Sequence, residues 1–179
     1  CRDMLERFGP EVQAAWHPHG VRKELFRSAG ASPYPHGSRN AVWVGTSRFD
    51  TDFLRRAARL CPDWNFHIVG DLPNLPDVPN VVAHGEMPFE QTVAYVRHAD
   101  AGLHTLAYAP GAEIFADSLK VQQYTFCRLP IVAPEFLARG RAHFCTYRPG
   151  DDASIRAAMT RARDLDRSRA DAEAVASWP

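Results

Sequence analysis

Three short stretches carry side chains whose types and spacing suit the grip of an anion. The first is Leu119-Lys120-Val121-Gln122-Gln123, preceded by Ala116-Asp117-Ser118. Asp117 or Ser118 reads as a helix N-cap, which puts Lys120 in the first turn. A cation there opposes the helix dipole unless an anion compensates it, and Gln123, three residues on, shares its face. An ammonium and an amide above a helix N-terminus suit a diphosphate. The same pattern fits a helix that starts near Glu113 and carries Lys120 as a mid-helix surface lysine. The second stretch, Gly45-Thr46-Ser47-Arg48-Phe49-Asp50, follows a short apolar run. It makes either an anion cradle of backbone N–H groups or a plain helix cap at Thr46 or Ser47. The third is Gly85-Glu86-Met87-Pro88. A carboxylate there can accept from two vicinal ribose hydroxyls, with Met87 as a soft surface for a flat base. Alternatively, Glu86 complements the start of the next helix.

Other chemistries find no support. The histidines, among them His17, His19, His84, His98 and His104, form no HExxH and no Cys/His quartet, so no metal site is expected. There is no GxSxG elbow, no GxGxxG and no Walker A loop. Glu113 and Asp117 lie near one helix face, a spacing common on solvated surfaces, and are not read as a glycosidase dyad.

The elements that must position these stretches alternate. Strands are expected at Ala41–Gly45, Asn65–Gly70, Asn80–Gly85, Ala101–Leu106 and Pro130–Ala133. Helices are expected from Phe49 to Cys61, from Pro88 to about His98, over about 114–127 and from Ser154 to about Leu165, with a polar helical tail over 166–176. Arg2 to Phe8 reads as helical turns, Val12 to Trp16 as a short strand, and the Gly/Pro/Ser/His-rich stretch to residue 39 as linker. Alternation of this kind means βαβ units, hence an α/β fold with a mostly parallel sheet and helices on both faces. Ligands of such sheets bind where loops leave the carboxyl ends of the strands. Those loops are Gly45–Asp50, Gly70–Pro79, Gly85–Pro88 and Leu106–Ser118.

Composition narrows the function classes. Across 179 residues, 21 Lys+Arg balance 21 Asp+Glu, which gives no sequence-independent pull toward nucleic acid. No apolar run approaches the roughly 20 residues of a membrane span, and the polar start is no secretory signal. Cys1, Cys61, Cys127 and Cys145 form no CxxC pair and read as reduced thiols of a cytoplasmic protein. A first residue other than Met suggests the second half of something larger.

Taken in order, VWVGTSRFD, FHIVG, HGEMPFEQTVAYVRHADAGLHTLAY and ADSLKVQQYTFCRLPIVAP resemble the C-terminal, nucleotide-sugar-binding domain of two-domain (GT-B) glycosyltransferases. They are most similar to the bacterial glucuronosyltransferase family of xanthan biosynthesis (the GumK family). The resemblance spans Ala41 to the Arg148–Gly150 region, with an echo at Ser177–Trp178. It implies a Rossmann-like domain over 40–179, with 1–39 as the end of an N-terminal domain and linker. It also implies a UDP-sugar site without cofactor or metal. Glu86 and Met87 match the positions that hold the nucleoside, and Leu119, Lys120 and Gln123 those lining the diphosphate and donor sugar. Tyr108 falls near a donor-side tyrosine, and Ser47 near a first-loop methionine. Leu119 stands where the family has methionine, and Arg128 where it has glycine.

The implied reaction inverts configuration. Lys120, helped by backbone around Ser118 and by Thr46, would stabilise the leaving diphosphate, while the general base belongs to the absent N-terminal domain. The implied partners are the UDP-sugar, that domain and a polysaccharide or lipid-linked oligosaccharide acceptor, met at the cytoplasmic face of the inner membrane. An epimerase, or a non-catalytic nucleotide-binding domain whose Gly45, Glu86 and Lys120 loops fail to converge, are the alternatives.

Overall fold

The computed structural model describes residues 8–15 and 17–178. Six strands form one sheet: Asn40–Val44 (β1), Asn65–Val69 (β2), Val81–Gly85 (β3), Ala101–Leu103 (β4), Ile131–Pro134 (β5) and Phe144–Tyr147 (β6). Their order is β3-β2-β1-β4-β5-β6, and every neighbouring pair is parallel. The helices are Lys23–Arg27 (α1), Thr51–Leu60 (α2), Phe89–His98 (α3), Leu119–Phe126 (α4) and Asp152–Asp164 (α5).

The period-two alternation of each strand feeds two cores. Ala41, Trp43, Ile68 and Leu103 meet Phe53 and Leu54 of α2 and Met159 of α5 on one face. Val42, Val69 and Ile131 meet Val93 and Val96 of α3 and Val121 and Tyr124 of α4 on the other. After β3 the chain returns to the free side of β1, so the winding direction reverses between β1 and β4. Loops leaving those two strands part there and open a crevice.

Several elements differ from expectation. β4 stops at Leu103; His104 and Thr105 continue fully buried, and Leu106 meets Phe49 only in an isolated antiparallel bridge. The single helix expected over 114–127 divides into a 3-10 turn, Ala112–Asp117, and α4, with Ser118 extended between them. Lys120 therefore sits in a first helical turn. Asp50, not Thr46 or Ser47, caps α2 by accepting from Phe53 N at 3.0 Å. Pro88 occupies the N-cap position of α3 rather than its first turn. Strand β6 and helix α1 were not anticipated, because Thr146 interrupts an apolar run and α1 lies in polar, Gly-rich surroundings.

The tail is not a helix. Only Arg167–Arg169 forms a 3-10 turn, because Asp166 and Asp171 bind local backbone N–H groups instead. Near the start, Val12 is a bend and residues 13–15 form no strand, while residues 1–7 and Trp16, with the turns expected there, lie outside the described residues. Cys61, Cys127 and Cys145 are buried free thiols. The stretch before β1 is strapped to the domain. Val21 N donates to Ala176 O at 2.9 Å and Trp178 N to Val21 O at 3.0 Å, while Phe26 is buried.

Arg167 ties off two helix ends. Its guanidinium donates to the carbonyls of Ala99, which caps α3, and of Cys127 and Arg128, just past α4, at 2.9 to 3.4 Å. Carbonyls at helix C-termini otherwise lack intrahelical donors. Replacing Arg167 with Ala is expected to lower unfolding free energy by about 1–2 kcal/mol, measured by urea titration.

Buried imidazoles add a pH dependence. His67 Nε2 donates to Asn40 Oδ1 at 3.2 Å, leaving Nδ1 to accept from His84 Nε2 at 3.0 Å. His143 Nε2 donates to Thr125 Oγ1 at 3.0 Å. Burial pushes His67 and His143 from the ordinary 6.5 down to about 4, and neighbouring His84 and Arg141 add to this. The unfolded chain thus takes up protons before the folded one. Stability is expected to hold above about pH 6.5 and to fall as pH drops through about 4, with a shallower fall in His67→Gln. Urea midpoints across that range test it.

Candidate functional site

At the carboxyl end of the sheet the loops are sewn edge to edge. Gly45 N donates to Val69 O at 3.0 Å and Gly70 N to Gly85 O at 2.8 Å. Ala107 N donates to Arg48 O at 3.1 Å, which joins the first loop to the segment after β4. The crossing of the first two loops leaves no room for side chains. A methyl on Gly70 would lie 1.7 Å from the Gly45 carbonyl oxygen, and Gly70 has φ +136°.

Lys120 projects from the first turn of α4 across this crossing. Its Nζ lies 4.0 Å from the centroid of the Trp43 ring and 3.0 Å from where a Gly45 Cβ would be. Among the described residues it makes no ion pair, and removal from water pulls its pKa from 10.5 to about 7. An aromatic face attracts a cation but does not replace its hydration. Four buried polar atoms near its helix and the ends of β1 and β4 have no hydrogen-bond partner: Trp43 Nε1, His104 Nδ1, Thr105 Oγ1 and Ser118 Oγ. His104 Nε2 donates to Phe115 O at 3.0 Å, which leaves Nδ1 as an acceptor. Burial and the Lys120 charge hold His104 near pKa 3, so it stays neutral. Ser118 caps α4 through its backbone alone, with no side-chain cap bond. Ser118 N donates to Phe115 O and Val121 N to Ser118 O, which leaves the amide N–H groups of Leu119 and Lys120 without an acceptor among the described residues. Unpaired donors and an ammonium together make a strongly electropositive spot, suited to a multiply charged oxyanion.

Beside this spot opens a hollow of about 350 Å³, lined by Gly45, Thr46, Gly70, Glu86, Met87 and Phe89 among others. Glu86 caps no helix: α3 starts without a side-chain cap bond, and the carboxylate has no partner among the described residues. Met87 is half-buried against the α3–α4 core. The Gly45, Glu86 and Lys120 loops therefore meet. Other candidates lie elsewhere. Leu119 and the buried Gln123 line a second hollow on the far side of Phe89. Tyr108, 65% exposed, packs edge-on against Phe136 at 5.3 Å, and Ser47 is exposed beside the first hollow rather than lining it. Sequence reasoning missed Trp43, His104 and Thr105. Their one signal was the polar pair closing the apolar run Ala101–Leu103.

No family model matches the chain. UDP-glucuronate:glycolipid 2-beta-glucuronosyltransferase of Xanthomonas campestris pv. campestris is 35% identical over 156 residues, covering 84% of this chain and 38% of that protein. The chain thus spans well under half the length of this curated relative. Among solved structures, sucrose-phosphate synthase of Thermosynechococcus elongatus is similar with TM-score 0.69 at 19% identity, over 99% of this chain and 52% of that one. An alpha,alpha-trehalose-phosphate synthase of Burkholderia xenovorans gives 0.60 at 17%, over 88% and 45%. These two share the fold, while the Xanthomonas enzyme also shares sequence through most of the described sheet. By sheet order and by these comparisons, the chain has a Rossmann-like fold shared with these glycosyltransferases and is similar in sequence, over most of its length, to part of the Xanthomonas glucuronosyltransferase.

Proposed function

We propose that the chain is the donor-binding part of an inverting, metal-independent glycosyltransferase. It would move a sugar, glucuronic acid first, from UDP to a polysaccharide or lipid-linked oligosaccharide at the cytoplasmic face of a bacterial inner membrane. Among the described residues no helix is long and apolar enough to cross a membrane. The observation that carries the reading is the Lys120 ammonium at a helix N-terminus, with no ion pair among the described residues and beside polar atoms that lack partners. The name of the Xanthomonas relative supports the choice of donor and the β product, which is an inversion for an α-linked UDP-sugar.

In this reading the diphosphate lies across the first turn of α4, and the nucleoside enters the hollow of Glu86 and Met87. Glu86 accepts from the ribose hydroxyls, and Met87 packs on the base. The acceptor hydroxyl attacks the anomeric carbon from the face opposite the diphosphate. The bond from that carbon to the β-phosphate oxygen breaks, and its electron pair leaves with UDP. Lys120, the amides of Leu119 and Lys120 just after Ser118, and Thr46 take up the charge that grows on this oxygen, the work a preorganised electrostatic site does best. The diphosphate in turn favours the protonated lysine. The base that receives the acceptor's proton is supplied from outside this chain, so the chain alone binds donor without turnover.

Calorimetric titration with UDP and GDP tests the reading. UDP is expected to bind better than GDP, because a hollow of this size next to Met87 favours the smaller base. Lys120→Ala and Glu86→Ala are each expected to weaken UDP by about 1–3 kcal/mol, the scale of a lost charged hydrogen bond. Equal affinity of wild type and both variants overturns the site.

A further inference from the structure

We propose that the second hollow, beyond Phe89, seats the sugar half of the donor, and that Arg22 there recognises a carboxylate on that sugar. The inference rests on the nucleotide reading above and adds a specificity determinant to it. The hollow holds about 330 Å³ between Leu119 and Gln123 of α4, Phe89 at the start of α3, and the strap that joins Val21 to Trp178. Phe89 lines both hollows, so one extended ligand can enter both.

Gln123 is the first reason to place a polyol here. Its side chain is 5% exposed and lines the hollow, yet its amide finds no partner among the described residues. An amide that meets the hollow and no protein partner can be served by a ligand bearing several hydroxyls, which both donate to it and accept from it. The opposite wall is apolar. Trp178 is 58% exposed and Phe89 38%, large flat surfaces suited to the C–H face of a pyranose ring. The strap bonds at 2.9 and 3.0 Å hold this wall in place, and a Cβ on Gly20 would lie only 3.1 Å from Trp178 N.

Arg22 supplies charge. It lines the hollow, forms no ion pair among the described residues and makes no cap bond for α1. A guanidinium fork fits a carboxylate in two parallel hydrogen bonds. The other hollow would repel such a group, because Glu86 faces it. Leu119, next to Lys120 in the first turn of α4, lines the same hollow, so a sugar bonded to a diphosphate at that turn stands beside it. A hexuronate satisfies all three features, with hydroxyls for Gln123, a ring face for Trp178 and a carboxylate for Arg22.

The test compares UDP, UDP-glucose and UDP-glucuronate by calorimetry on the wild-type chain, Arg22→Gln and Trp178→Ala, with near-UV circular dichroism to verify folding. Wild type is expected to prefer UDP-glucuronate over UDP-glucose. Arg22→Gln is expected to lose about tenfold for UDP-glucuronate while UDP and UDP-glucose stay within about twofold. Trp178→Ala is expected to weaken both UDP-sugars relative to UDP. If UDP binds normally but Arg22→Gln leaves the preference unchanged, the carboxylate assignment is overturned and the nucleotide site stands. If Trp178→Ala leaves both UDP-sugars at wild-type affinity, the sugar seat is overturned. If wild type binds no UDP, the nucleotide reading falls, and this inference with it.

Discussion

A positive charge lying on an indole, with no ion pair among the described residues, constrains the whole carboxyl end of this sheet. For the Lys120 ammonium to reach Trp43, β1 must be central and Gly45 must carry no side chain, because a Cβ there would press on both groups. Gly70 must be bare for the same crossing. α4 must begin at Ser118 rather than several residues earlier, which is what the extended backbone of Ser118 achieves. A cation–π contact contributes about 0.5–2 kcal/mol, less than the hydration an ammonium gives up on burial. The deficit appears as the depressed lysine pKa and as polar atoms with nothing to bond. Such a site is poised for an anion that supplies the missing partners.

The second constraint is the reversal of strand order. Loops after β1 and β4 diverge, so the charged spot, the Glu86 hollow and the Gln123 hollow share one rim while standing on different elements. α3 contributes Phe89 between the hollows, α4 contributes Lys120 toward one side and Gln123 toward the other, and the strap closes the far wall. Rigid elements carry each group, and only short segments span the gaps.

Much of this was legible in the amino-acid order. Strands β1, β2, β3 and β5 are short apolar runs, and α2 and α5 carry apolar faces that repeat at helical spacing, although their capping residues, Asp50 and Asp151, went unrecognised. β6 escaped because its central Thr146 follows Arg141 and His143 in a polar approach. The Ala-rich tail has helix propensity, yet Asp166 and Asp171 spend it on local bonds. In the site, Lys120 and Glu86 were visible because charge is out of place where they stand. Trp43, His104 and Thr105 were not, since only their neighbours decide that a polar atom is stranded. Gln123 was assigned to the face of Lys120, whereas the side chains diverge once α4 packs. Arg128 occupies a left-handed turn, φ 56°, where the resembling family has glycine, and its guanidinium holds Ala170 O at 3.1 Å.

Four of the eight imidazoles, His67, His84, His104 and His143, are kept uncharged by their surroundings. The folded chain therefore gains less positive charge on mild acidification than its eight histidines would give. Its electrophoretic mobility moves less toward that of a cation than composition alone points to. Molecules that repel one another weakly crowd easily, so colloidal behaviour joins unfolding in setting how concentrated this domain can be kept in weakly acidic solution.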